Sequence, residues 1–200
     1  LQEDYLYNLG VVLAELGHTE KAIERYRQAL ELNPKDARAQ NNLGLLLANR
    51  KQYDEAMAHY EAALSAVPDF VLVYANIGNM LADQGKREDG IAVYAKGLAI
   101  KPDDAGLHNG IGYLYANKGD DENALKHYNE ALRIAPDYPL AHNNLGNLLN
   151  KQGKSDEALA HYRRALEIDP RDRHAYLNIA ALDVKRGNID EAVQMYRKAC

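Results

Sequence analysis

The 200-residue sequence predicts an all-α solenoid made of six copies of one helix-turn-helix unit. Three observations carry this. Five of the six prolines are Pro34, Pro68, Pro102, Pro136 and Pro170, each 34 residues after the last. With that period fixed, repeats beginning at Glu3, Ala37, Val71, Ala105, Pro139 and Arg173 align without a gap. Each repeat carries two apolar stretches with the three-and-four spacing of one buried helical face. The expected organisation is a single domain, 1–200, with repeats 3–36, 37–70, 71–104, 105–138, 139–172 and a truncated 173–200.

The elements of the repeat follow in order. In the first helix, apolar or small residues fall at positions 3, 4, 7, 8, 10 and 11, as in Tyr5, Leu6, Leu9, Gly10, Val12 and Leu13. Position 8 is Gly10, Gly44, Gly78, Gly112, Gly146 and Ala180. Next comes a turn at Gly17, Gly85, Gly119, Gly153 and Gly187, residues able to take the left-handed backbone that ends a helix. Lys51 is the exception there. The second helix has its apolar face at 20, 21, 24, 27 and 28, as in Ala22, Ile23, Tyr26, Ala29 and Leu30. Position 24 is tyrosine throughout: Tyr26, Tyr60, Tyr94, Tyr128, Tyr162 and Tyr196. Small residues at 8, 20 and 27 let the helices approach closely, and the tyrosine fills the gap between them. The proline then ends the second helix, because it has no N–H and clashes with the preceding turn.

Gly/Ala at 8, Ala/Gly at 20, an aromatic at 24 and Ala/Gly at 27 in six repeats, with Pro at 32 in five, resembles the tetratricopeptide repeat (TPR) family over nearly the whole chain. The resemblance implies a right-handed superhelix, with first helices lining a concave groove and second helices outside. It also implies a protein-interaction module rather than an enzyme. Within the family, the asparagines described next are similar to those of the TPR superhelix of O-linked N-acetylglucosamine transferases and to those of bacterial TPR scaffolds.

The first helix has a second stripe opposite its core face. Positions 5, 6 and 9 give eighteen residues over six repeats, and ten are asparagine: Asn8, Asn41, Asn42, Asn76, Asn79, Asn109, Asn143, Asn144, Asn147 and Asn178. The others are Tyr7, Val11, Leu45, Ala75, Gly110, Tyr113, Leu177 and Ala181, so none is charged in a chain that is 26% charged. A merely solvated helix face would favour Glu and Lys, which are better helix formers than Asn. The outer stripe of the second helices, with Glu20, Lys21, Glu24 and Arg27, fits simple solvation. A planar amide donates and accepts at once, so it can bond both the C=O and the N–H of a passing peptide. Packed helices lie ~8–10 Å apart and an extended strand advances ~3.3 Å per residue. A ladder of position-6 asparagines would therefore meet an extended peptide about every third residue.

The expected ligand is thus a partner protein or an extended peptide segment, bound by Asn8, Asn42, Asn76, Asn144 and Asn178 with Asn41, Asn79, Asn109, Tyr113, Asn143 and Asn147. Tyr7, Tyr113, Leu45 and Leu177 would add side-chain pockets. The other reading is that position-6 asparagines bond locally between adjacent repeats. Gly110 interrupts the ladder in the fourth repeat. Asp4, Glu15 and Asp83 lie towards one end of the groove edge and Lys151, His174 and Lys185 towards the other, with Arg38 departing from the trend. That gradient is either scattered surface charge or a device that orients a bound peptide. No repeat has Lys at 5 or Arg at 6, so a carboxylate clamp of the chaperone-tail type is not expected. Two alternatives stay open: a substrate-recruiting region of a larger enzyme such as a glycosyltransferase, and a self-associating assembly module.

Other classes find little support. The net charge of -5 is unlike the basic surface of a nucleic-acid binder. No run of about 18 apolar residues occurs, so no membrane span is expected. The single cysteine, Cys200, excludes an internal disulfide and offers no zinc site. Of the seven histidines, His59, His127 and His161 fall at position 23, and His108 and His142 at position 4. One per repeat, they are expected a helix-pair step apart, too far to share an ion at ~2 Å. No cofactor, metal or catalytic constellation is expected. Acidic pairs such as Asp54-Glu55 and Asp156-Glu157 open second helices, where they suit the helix dipole. The chain starts at Leu1 and shows no signal peptide, which suggests an excerpt. The expected location is cytoplasmic.

Two irregularities remain. The sixth repeat stops at position 28, with Cys200 in place of the usual leucine and no polar capping helix. The expectation is a chain that continues or an end that packs on another copy, with Cys200 as a small core residue. Gly90, Gly97, Gly106 and Gly110 crowd the third and fourth repeats, at about 1 kcal/mol each against alanine in a helix. Hydrogen exchange should therefore be faster across residues 88–112 than in the flanking repeats; uniform protection would contradict a softer joint there.

Overall fold

The computed structural model describes residues 2–199; the expectation for Cys200 lies outside them. The described residues form twelve α-helices and no strand. They are α1 (Gln2–Glu15), α2 (Thr19–Leu32), α3 (Ala37–Asn49), α4 (Tyr53–Ala66), α5 (Val71–Asp83), α6 (Arg87–Ile100), α7 (Ala105–Lys118), α8 (Asp121–Ile134), α9 (Pro139–Lys151), α10 (Ser155–Ile168), α11 (Arg173–Arg186) and α12 (Ile189–Lys198). Each repeat supplies two of them. The chain forms two compact units, Leu1–Ile100 and Lys101–Cys200, each holding three helix pairs. In the first unit α3 also touches α5; in the second, α9 touches both α7 and α11. First helices thus stand beside first helices within each unit.

The helix ends follow from the backbone. At every first-to-second helix turn two backbone bonds close a Schellman motif. Gly17 N–H bonds Ala14 C=O and His18 N–H bonds Leu13 C=O; Gly187 and Asn188 bond Val184 and Asp183 in the same way. The motif needs a left-handed residue, and the five glycines supply it with φ of 73 to 82°. Lys51 makes the same turn at φ 62°, with its N–H on Ala48 and that of Gln52 on Leu47. A side chain there is strained. The second helices α2, α4, α6, α8 and α10 stop two residues before each repeat's proline. Asp36, Asp104 and Asp172 then cap α3, α7 and α11 by accepting from two backbone N–H groups each. Burial raises the pKa of Asp36, but the Arg38 guanidinium and the Ala39 and Arg38 N–H groups outweigh it and hold it below the usual carboxylate range.

The packing rests on one contact. A Cβ built on Gly10, Gly44, Gly78, Gly112 or Gly146 would meet the ring of the same repeat's position-24 tyrosine at 2.5–2.8 Å. The ring therefore occupies the space a side chain would need. Tyr26, Tyr60, Tyr94, Tyr128 and Tyr162 are all buried this way. In the sixth repeat Ala180 replaces the glycine, and Tyr196 is 43% exposed. Around these rings sit the alanines of positions 20 and 27 and the leucines of the first helices, giving a core cluster in each unit. Outside, Arg50–Glu20, Lys151–Asp121 and Arg186–Asp156 join the last turn of one first helix to the first turn of the preceding second helix. These pairs are solvent-exposed, so each contributes ~0–1 kcal/mol.

Lys51→Gly should stabilise the chain by about 0.5–1 kcal/mol, since it relieves a left-handed non-glycine residue at a cap. Thermal melting would show this as a rise of roughly 1–4 °C; a lower melting temperature would contradict the strain.

Candidate functional site

The stripe at positions 5, 6 and 9 splits into three layers by depth. Position 5 faces inward: Asn41 is 1% exposed, Asn143 3% and Asn109 5%. Position 6 reaches back to position 5 of the repeat before. Asn76 Nδ2 donates to Asn41 Oδ1 at 2.8 Å, and Asn144 Nδ2 donates to Asn109 Oδ1 at 2.9 Å. In the first rung Tyr7 stands at position 5, and Asn42 Nδ2 lies 3.4 Å from its hydroxyl and 3.5 Å from that of Tyr26. Asn41 Nδ2 donates to Asn42 Oδ1 at 3.1 Å. Asn143 Nδ2 donates to the Asp172 carboxylate, while its Oδ1 is buried without a hydrogen-bond partner. Asn178 is half-buried and Asn8 exposed.

Position 9 serves the tyrosine. Tyr94 donates its hydroxyl to Asn79 Oδ1 at 2.6 Å and Tyr162 to Asn147 Oδ1 at 2.8 Å. Asn79 and Asn147 are both exposed, so each amide keeps its NH2 outward while its oxygen is engaged within the repeat. In the second repeat position 9 is Leu45, and the Tyr60 hydroxyl is buried without a partner. Burial pushes the Tyr60 and Tyr128 hydroxyls well above the ordinary phenol value and that of Tyr162 up to about 12. Tyr162 therefore stays protonated at neutral pH and donates to Asn147 Oδ1.

The sequence therefore grouped residues that the structure gives different work. In the first unit Asn41 and Asn76 join neighbouring repeats, whereas Asn8, Asn42 and Asn79 present polar groups near or at the surface. In the second unit Asn109 and Asn143 are interior, whereas Asn144, Asn147, Asn178 and Tyr113 line or border the exposed face. There a cleft of about 190 Å³ is lined by Tyr113, Ala116, Asn117, Asn144, Asn147 and Lys151, with Tyr128 and Leu148 beneath. Tyr113 is 48% exposed at its edge. Asn117 and Lys151 belong to this cleft through position 13, which the asparagine pattern did not single out.

Charges at the groove edge are partly spoken for. Arg38 lies 4.6 Å over the Tyr7 ring and bonds Asp36 and Asp4 at 3.0 and 3.4 Å. Lys151 pairs with Asp121 at 2.8 Å. Arg38, the exception to the charge trend, is thus held by two acids and an aromatic face.

The histidines need a correction. They are not a helix-pair step apart: positions 4 and 23 of one repeat meet. His108 Nδ1 lies 3.1 Å from His127 Nδ1, and His142 Nδ1 lies 2.9 Å from His161 Nδ1. The 19-residue separation crosses the turn of one helix hairpin, which a count of one histidine per repeat position hides. Burial, then the facing imidazole, lowers the pKa of His127 and of His161. No described helix is long and apolar enough to cross a membrane.

The comparisons agree with this architecture. Family models for the tetratricopeptide repeat match residues 7–69, 103–171 and 138–200, and one for the TPR repeat matches 78–119. No curated protein matches the chain in a sequence search. Among solved structures, a thermophilic TPR protein of Thermus thermophilus is 26% identical, with 91% of this chain and 99% of that one covered at a TM-score of 0.79. PilF of Pseudomonas aeruginosa is 20% identical over 97% and 88% of the two chains, TM-score 0.80. PilW, a type IV pilus biogenesis factor, is 19% identical over 96% and 90%, TM-score 0.83. The chain belongs to the tetratricopeptide repeat family, whose fold serves as a protein–protein interaction scaffold. Scaffolds of this family are typically non-enzymatic.

Tyr94→Phe and Tyr162→Phe should each destabilise by about 1 kcal/mol, because each removes a bond to a position-9 asparagine. Tyr60→Phe should be neutral or stabilising, since it deletes an unpaired buried hydroxyl. Chemical denaturation of the three variants checks the contrast; equal losses would contradict it.

Proposed function

We propose that the exposed first-helix face binds an extended segment of a partner protein. The observation that carries this is the outward amide at position 9. Asn79 and Asn147 have their oxygens fixed by Tyr94 and Tyr162, which orients each NH2 towards solvent as a preset donor. A donor held in one rotamer loses little entropy when it meets a peptide carbonyl. In the second unit Asn144 adds an acceptor, because its NH2 is used by Asn109 and its Oδ1 is left over. Tyr113 supplies an apolar and aromatic wall to the same cleft. Donor, acceptor and ring together suit a main chain with an apolar side chain. The interior asparagines, Asn41, Asn76, Asn109 and Asn143, act here by holding the helices that carry the exposed ones.

This reading changes which substitutions are informative. Replacing Asn76 would disturb the stack as well as any site. Asn79→Asp and Asn147→Asp instead keep the oxygen that each tyrosine needs and replace the outward donor with a charged acceptor. Peptides selected from a random library against the chain should bind each unit of the double variant roughly 2- to 12-fold more weakly, as one lost bond of ~0.5–1.5 kcal/mol per unit requires. Circular dichroism should show unchanged helicity. Peptides that bind the folded double variant with undiminished affinity would overturn the proposed face.

A further inference from the structure

Positions 4 and 23 form a seam on the other side of the first helices. In five repeats the position-4 side chain latches the proline turn before it. Gln40 donates to Pro34 C=O at 2.9 Å, Tyr74 to Pro68 at 2.9 Å and Tyr176 to Pro170 at 3.2 Å. His108 and His142 do the same through Nε2, to Pro102 at 3.0 Å and Pro136 at 2.9 Å. A carbonyl only accepts, so the proton of each neutral ring sits on Nε2. The Nδ1 lone pair of His108 is left facing His127, and that of His142 facing His161.

The latch does not need histidine. Gln40 makes it in the second repeat and also accepts from His59 Nδ1 at 2.6 Å. Tyrosine makes it in the third and sixth repeats, where position 23 is Val93 and Met195. Two facing imidazoles are therefore more than the fold requires, and they occur in two successive repeats.

We propose that His108–His127 and His142–His161 are two bis-imidazole sites for a divalent transition-metal ion, copper(II) foremost. Two cis ligands at ~2.0–2.1 Å from one ion stand roughly 2.9–3.4 Å apart, according to whether it is square or tetrahedral. The Nδ1 pairs at 3.1 and 2.9 Å have that spacing before any ion arrives. The proline carbonyl on Nε2 supplies the outer hydrogen bond that fixes the tautomer of a metal-binding histidine. A turn of the rings by roughly 35–45° from the Nδ1–Nδ1 line aims both lone pairs at one ion. The neutral pair holds one proton between its Nδ1 atoms, that of His127 or His161. On binding it is replaced by one on that ring's Nε2 through exchange with solvent, so both rings stay neutral and no net proton is released. No group of three or more His, Cys, Asp or Glu side chains among the described residues is placed to hold a metal. Each site thus provides two protein nitrogens, with water completing the shell. Such a site ranks ions by their preference for imidazole, which puts copper(II) first. In the second repeat the corresponding seam around Gln40 and His59 forms a cleft of about 330 Å³; at the proposed sites His108, His127 and His161 are partly exposed. His142 is the more buried of the two position-4 rings, so the His108–His127 site should fill first.

The test is calorimetric titration of the untagged chain with copper(II) in a weakly competing buffer, with electron paramagnetic resonance on the product. The expected result is two ions per chain, each with two nitrogen couplings. His108→Gln should remove one, and His108→Gln with His142→Gln both, lowering affinity at those sites at least a hundredfold. Gln40 shows that glutamine keeps the latch, so the metal-free melting temperature should hold. If it does not, His127→Val with His161→Met places at position 23 the residues found in the third and sixth repeats, and should abolish the same two sites. Copper bound by either folded double variant with wild-type affinity and stoichiometry would overturn the proposal, as would a spectrum with a single nitrogen.

Discussion

The tyrosine ring that lies against a glycine backbone is the contact on which five of the six repeats depend. Only a residue without Cβ leaves room for the ring, and only a large flat side chain fills the room so made. The pairing fixes how close the two helices of a hairpin come. It also drags a phenolic hydroxyl into the interior, where an unpaired polar group costs about 1–3 kcal/mol. That secondary problem shapes the neighbouring surface. Asn79 and Asn147 answer it directly, and their free ends become part of the candidate binding face. Where Leu45 stands instead, Tyr60 is left without a partner.

Stacking within each unit rests on a second set of bonds. Position-6 amides reach position-5 amides one repeat back, and position-4 side chains reach the carbonyl of the intervening proline. Both kinds run between neighbouring repeats only, as expected of a fold whose stability is a sum of repeat and nearest-neighbour terms. Buried amides cost more than alanine unless paired, so their ladder specifies the register of one repeat on the next. The exposed salt bridges add little by comparison.

One polar residue type thus carries two kinds of work. Deep asparagines join the helices, and in the proposed function the shallow ones offer donors and acceptors to a partner's chain. The two are coupled, because Asn144 is aimed by Asn109 and Asn147 by Tyr162. A binding face built on such residues is rigid without being charged, which suits contacts to peptide backbone more than to a particular sequence.

The period, the two helices per repeat, the glycine turns and the tyrosine–glycine pairing were all legible in the sequence, since each depends on residues close in the chain or on a spacing that recurs six times. So was the lack of charge on the first-helix stripe. The sequence by itself could not sort that stripe by depth, because positions 5, 6 and 9 share one helix face and only the neighbouring repeat decides which is covered. It could not reveal that His108 meets His127, a contact made by folding one hairpin, nor that Arg38 is held by Asp4, Asp36 and Tyr7. Local periodicity determines which face of a helix turns inward. Which polar groups on that face are consumed by the stack, and which remain for a ligand, is decided by distances across the packing that no linear pattern contains.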